Sequence, residues 1–535
     1  MMRLSFASVI VGAGCWGACL APDVDFGAFA KTCASDAECA GLICDLSLEV
    51  PRCVSIAGEG EGEGEGEGEG EGDPCDSPTE TVTGDLFVDS STPLPVQVVT
   101  GDIIVDAGST TALGALCRID GDLVITSSRV LQVSLPELRS VGGNLVMFNT
   151  GAPSLSAPKL AAVDGLLGIG QFRISDDNDE CDGNPPCLAR DRNAALTSVN
   201  LPLLDSVGRL RVIDEPLLTE LSLPALTTVD ADLIISENAT LASVDIAVQE
   251  VGRILDLDGN GLLRTVHFPR LTRVSNGTLL DDDVIITELS YGSTSPGSFV
   301  LVSVSEDANG NYQEIEELEI PLLVSVEGTF MVTDTVIPTL SAPALTTVGS
   351  LYLEANTGVA LGHDGGMNAV SMPLLASNGD GTTGIVGAGL TPARSGGTNC
   401  TRDTSLCISA NTFLTSVSIG AFGTLAGELT ILENSQLTSL CFLDGLSAIG
   451  TSATSGGMFI SFNEALTSLA GLSSLTTMNG QFTANGNAQL PDCQVTTLLD
   501  ALSGDTSPQH ENNLPPSNPA CPIDSCAGEG EGEGE

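Results

Sequence analysis

Along most of the chain, apolar residues come in short alternating bursts that return at a fixed interval. Gly121 opens one burst, with Leu123 and Ile125 on either side of Val124; the string returns at Gly143 with Leu145 and Met147, and at Gly165 with Leu167 and Ile169, 22 residues apart each time. It recurs at Gly208, Ala231, Gly328, Gly349 and Gly427, and Gly84, Gly101 and Gly480 extend it outward. Alternation with period two is the mark of a strand. A repeat in the low twenties predicts a solenoid whose coils each lend one strand to a parallel sheet. A second half completes each coil, as in Leu196, Val199, Leu201, Pro202 and Leu204, or Leu218, Leu221, Leu223, Pro224 and Leu226. Proline cannot donate to a ladder, so it ends a short extended stretch. An Asn follows the last apolar strand residue by three, at Asn238, Asn260, Asn356, Asn434, Asn463 and Asn487. One such amide per coil predicts a buried side-chain ladder.

The order L-x-I-x-x-N-x-x-L-x-x-L resembles a leucine-rich repeat. Its Asn-to-Leu spacing is one longer than usual and looks closer to the receptor L domain of insulin-receptor and epidermal-growth-factor-receptor ectodomains. That resemblance implies a right-handed, β-rich solenoid of about sixteen coils, as one continuous rod or two fused L domains. It implies a fold and names no ligand.

In L-x-I the middle residue points away from the core. A solvated strand face is polar there, yet this column includes Phe87, Ile104, Val124, Val146, Ile234, Met331, Tyr352 and Phe459. Coils about 4.8 Å apart would merge them into an apolar stripe. The stripe is expected to be a partner-binding surface, or else to be covered by the chain itself.

Composition adds an address. The 535 residues carry 18 Lys+Arg against 70 Asp+Glu, a formal net charge of −52, with only two lysines, Lys31 and Lys159. Such a balance argues against nucleic acid as a partner, because phosphate recognition needs clustered cations. The mean hydropathy of +0.24 argues against global disorder. Arg3 precedes a short apolar run, Leu4 to Val11, and then small residues before Cys15 and Cys19. The run is too short to span a bilayer, and the pattern resembles a bacterial lipoprotein signal. Residues 1–18 are read as that signal and Cys19 as the lipidated residue, with Cys15 and ordinary secretion as alternatives. Beyond residue 19 there are fourteen cysteines, an even number that suits full pairing in an oxidising compartment once Cys19 is set aside.

The remaining organisation follows from local composition. Residues 19–57 hold Cys33, Cys39, Cys44 and Cys53 in a segment too small for its own core; three connectivities stay open, and a zinc site is the weaker rival. Residues 58–73 are a Gly-Glu tether, 74–499 the solenoid, 500–526 a disulfide-bearing C-terminal cap, and 527–535 a second Gly-Glu run. Cys75 with Cys117 is expected to staple the first coils. Cys181 with Cys187 and Cys400 with Cys407 fall in insertions. Cys441 with Cys493, and Cys521 with Cys526, are expected to secure the far end.

Chemistry is sparse. The 3 His are scattered, and no HExxH, GxSxG or Walker A string occurs. His267 is read as a surface residue. Asp256, Asp258 and Asn260 look like the start of a calcium loop, but their register makes them structural. The acidic runs 176–182 and 281–283 are weak calcium and carboxylate candidates respectively. The expectation is therefore a non-enzyme without cofactor, apart from a weak calcium possibility. It would be a lipid-anchored cell-surface recognition or adhesion protein that binds a protein or glycan through the strand face. The alternatives are an envelope spacer and a carboxylate-dependent glycan-active enzyme.

Overall fold

The computed structural model describes residues 43–45, 52–54, 75, 78–170, 192–277, 296–302, 315–356, 366–375, 404–421, 423–450, 457–503, 506–514, Cys521, Ile523 and Cys526. The N-terminal signal, Cys15, Cys19, both Gly-Glu runs, Cys181, Cys187, Cys400 and the acidic runs 176–182 and 281–283 lie outside the described residues.

The described chain is mostly parallel β-structure, stacked coil on coil in a β-solenoid-like arrangement. Strand Leu123–Thr126 pairs in register with Leu145–Phe148, which pairs with Ala162–Gly170. The ladder continues through Ser206–Ile213, Asp232–Ser236 and Ile254–Asp258. Register is fixed by the two inward columns, because a slip of one residue would turn every Leu and Ile of a coil outward. Leu123 and Ile125, Leu145 and Met147, and Leu233 and Ile235 are all fully buried in one apolar core that runs from Val88 to Leu498. Each such side chain contributes about 1.5–3 kcal/mol by leaving water. Phe299 and Phe330 occupy one inward column on neighbouring strands, with ring centroids 5.0 Å apart.

A coil carries more than the single strand expected. The half that ends in proline is also a strand, and its copies form smaller parallel sheets: Glu220–Leu223, Ser243–Ile246, Thr265–His267 and Glu317–Glu319, for example. Alternation of a buried Leu or Val with short polar residues gives this stretch its own strand period.

Two kinds of polar ladder hold the corners. The glycine that opens each burst lies where successive coils approach most closely: a Cβ on Gly121 would sit 2.2 Å from Asp102 Oδ1 and 2.7 Å from the Gly101 carbonyl carbon. Beside these glycines, Asp85 Oδ1 accepts from the Asp102 N–H at 2.9 Å, Asp102 Oδ1 from the Asp122 N–H at 2.7 Å, and Asp122 Oδ1 from the Asn144 N–H at 2.7 Å. At the other end of the strand lies the expected asparagine ladder. Asn238 Nδ2 donates to Asn260 Oδ1 at 3.0 Å, Asn411 to Asn434 at 3.3 Å, Asn434 to Asn463 at 3.2 Å and Asn463 to Asn487 at 3.3 Å. The residue before most ladder positions turns left-handed, as at Glu237 (φ 58°), Ala355 (φ 55°), Glu433 (φ 58°) and Phe462 (φ 58°). The buried amide bonds offset that unfavourable backbone geometry.

The C-terminal end departs from the expected pairing. Cys441 is bonded to Cys526, and Cys493 to Cys521, each with Cα atoms 5.6 Å apart. Helix Asp492–Ala501 caps the stack and presents Cys493 to Cys521, while the tail returns across the short helical turn at Cys441–Leu443. Sheet pairing also runs past residue 499: Thr506–Gln509 adds a strand to Gly480–Thr483, and Asn487 donates to Asn513 at 3.3 Å. At the other end Cys75 is bonded to Cys117, as expected. Cys407 is disulfide-bonded, and its expected partner Cys400 lies outside the described residues. Near the N-terminus, the hairpin of Ile43–Asp45 with Arg52–Val54 sets Cys44 opposite Cys53 in backbone register.

Candidate functional site

The outward column of the long sheet is the first candidate surface, and most of it is closed. Ile104 is 3 % exposed, Val146 9 %, Met331 4 % and Tyr352 0 %. Val300, Val302, Met331, Tyr352 and Cys407 make an apolar cluster of their own, separate from the main core, and Val146 joins Leu166 and Phe148 in another. The Tyr352 hydroxyl donates to the Thr404 carbonyl at 2.8 Å. These residues are buried within the chain itself, so the expectation of one continuous exposed apolar stripe does not hold. Phe87, Val124, Ile234 and Phe459 remain half-buried and partly open to solvent. Strand alternation separates inward from outward positions, but it carries no information about what the rest of the chain lays over the outward side.

Between the two apolar clusters the same face turns ionic. Asp232 stands 3.4 Å from Arg211 Nη2 and 3.4 Å from Arg253 Nε, and all three are buried. Asp256 is buried beside them and accepts from the Asp258 N–H at 3.1 Å. Asn260 belongs to the amide ladder and donates to the Ile235 carbonyl at 2.7 Å. Asn260 thus takes the ladder position that its register assigns. Among the described residues, no three His, Cys, Asp or Glu side chains gather as a metal site would require.

The open surface is the sheet of the proline-containing halves. Inward Leu221, Val244, Val266 and Leu318 alternate there with two outward columns of short polar residues. One column reads Ser222, Asp245, His267 and Glu319 in direct register; the other reads Glu220, Ser243, Thr265 and Glu317. His267 is half-exposed, with Nε2 3.7 Å from Glu317 Oε2, and Arg264 pairs with Glu316 at 3.2 Å. Neighbouring sheets continue the pattern with Ser156 and Asn200, and with Ser341, Ser371 and Ser418. The signal for this face lies in the proline-containing halves, whose x positions are polar.

Titration within the ladders follows burial. Burial raises Asp102 above the usual carboxylate range, with the neighbouring Asp122 and Asp85 charges adding to the shift against an opposing backbone hydrogen bond. Glu215, which takes an asparagine's place in the amide ladder, is pushed by burial up to about 8. No protein-family model, curated protein or solved structure matches this chain.

Proposed function

We propose that the protein is a recognition rod outside the cytoplasm, anchored through a lipid on Cys19. In this reading it is a right-handed receptor-L-like solenoid of about sixteen coils, and it holds an extended glycan or protein along its open polar face. The observation that carries the reading is that face, with Ser222, Asp245, His267 and Glu319 stacked in register and partly or fully exposed to water. Hydroxyl, carboxylate and imidazole groups repeated at strand spacing offer donors and acceptors to a hydroxyl-rich polymer at every coil. Disulfides at both ends suit an oxidising compartment. With a net charge of −52, the surface favours a neutral or cationic ligand over an anionic one.

The test is a glycan array probed with the full chain carrying Cys19→Ser, alongside the same chain with Asp245→Lys and Glu319→Lys. Binding is expected in the first and a loss of tenfold or more in the second, with Tm within about two degrees because both sites are exposed. Binding that survives both substitutions would remove this face from consideration. Absence of any bound glycan or surface protein would favour the spacer reading.

A further inference from the structure

Among the described residues, the amide ladder contains one acidic member, Glu215. Reading along it, Thr150, Asn193, Glu215, Asn238 and Asn260 occupy successive positions. An asparagine in this column accepts through Oδ1 and donates twice through Nδ2. Asn238, for instance, donates both to Asn260 Oδ1 and back to the Val212 carbonyl at 2.9 Å. Glu215 has the acceptor: its Oε1 takes the Asn193 Nδ2 proton at 2.6 Å, and its backbone N–H donates to Asn238 Oδ1 at 3.0 Å. Its other oxygen, Oε2, is fully buried and has no hydrogen-bond partner. On the preceding coil, a Cβ on Gly170 (φ 106°) would meet the Ile213 carbonyl first and would also lie 3.0 Å from Glu215 Oε1.

We propose that Glu215 is built into the ladder as a neutral carboxylic acid, and that its ionisation loosens the coil junction between Asn193 and Asn238. Protonated, the side chain is uncharged like the amides around it; ionised, it places a charge among buried dipoles with one oxygen unpaired. Burial is the largest obstacle to the charge; hydrogen bonds from Asn193 and the Arg192 charge favour the ionised form but do not overcome it. Asn238, on the other side, is neutral. Asp214 on the same turn repels a second negative charge, and it already engages Arg192 of the preceding coil at 3.5 Å. Beyond Asp214 stand two more acids, Glu237 and Asp258. The value of about 8 agrees with this geometry. Because the folded pKa lies above the unfolded one, the group's contribution is fully present below the ordinary glutamate value near 4.5. It is lost as pH rises through about 8.

The experiment uses the full chain and Glu215→Gln. Melting temperature and hydrogen exchange are followed from pH 5 to 9, and infrared difference spectra between the two proteins are taken at pH 7. The expected results are a carboxylic-acid carbonyl band in the wild type that the variant lacks, and a stability advantage of the variant that grows with pH. Exchange at the Thr150 and Glu215 amides should accelerate about tenfold more in the wild type than in the variant across that range. A pH-independent difference between the proteins, or absence of the band, would overturn the proposal. If the Gln variant does not fold, Glu215→Asn supplies the ladder's own residue and the same comparison.

Discussion

The stacked coils carry two polar ladders that solve the same problem with different chemistry. At the glycine corner of the N-terminal coils, Asp85, Asp102 and Asp122 accept backbone N–H groups from the next coil and sit where water reaches them. At the opposite corner, Asn434, Asn463 and Asn487 are fully buried and bond to one another as well as to the backbone. A carboxylate only accepts, so it serves where solvent can satisfy its remaining lone pairs. An amide both donates and accepts, so it can be repeated in the dry interior without like charges accumulating. The difference explains why the interior column tolerates one acid only under the special conditions at Glu215.

Three substitutions would sharpen this contrast. Asn463→Leu should have the largest effect. It leaves the Asn434 N–H without its side-chain acceptor and removes the Nδ2 donor to the Ile431 carbonyl, both in the interior, while Asn434 Nδ2 keeps the Ile408 and Leu432 carbonyls. A loss of about 4 kcal/mol in a denaturant titration is expected. Asp122→Ala removes the acceptor of the Asn144 N–H at the wetter corner, where water can replace it, so the same measurement should give about 1 kcal/mol. Asp102→Asn should stabilise slightly. Its raised pKa means that the folded carboxylate is disfavoured once ionised, so the variant's advantage appears above the ordinary aspartate value and vanishes below about pH 4. A rise of about one degree in Tm at pH 7, absent at pH 3, would confirm that sign.

Much of this architecture was legible because it repeats. The inward pairs such as Leu233 and Ile235 gave the strands, and the constant offset to Asn238 or Asn434 gave the ladder. What failed to read were the members displaced from the repeat. Asn193 follows a long insertion, so the offset that marks its siblings is lost; Asn411 keeps the offset of three from Ile408 but stands 55 residues beyond Asn356. Thr150, Glu215 and Thr335 fill ladder positions with other side chains. The cysteine pairing at the far end was misread for a geometric reason. Coiling brings positions 85 residues apart as close as near neighbours, so proximity in sequence is a poor guide there. The candidate surface was half legible. The alternation correctly separated the two sides of each strand, whereas it carried no sign that Met331 and Tyr352 on the outward side would be buried.

The terminal cross-links also decide how the rod would bear a pull. A solenoid drawn from its ends peels one coil at a time, because each coil is held only by its neighbours. Here a force applied beyond Cys526 passes through sulfur to Cys441, and a force applied before Cys75 passes to Cys117. The coils outside those two points are bypassed while the cross-links last. Within the folded coils, extension under load would therefore be confined to the chain between Cys117 and Cys441 until a reductant releases the rest.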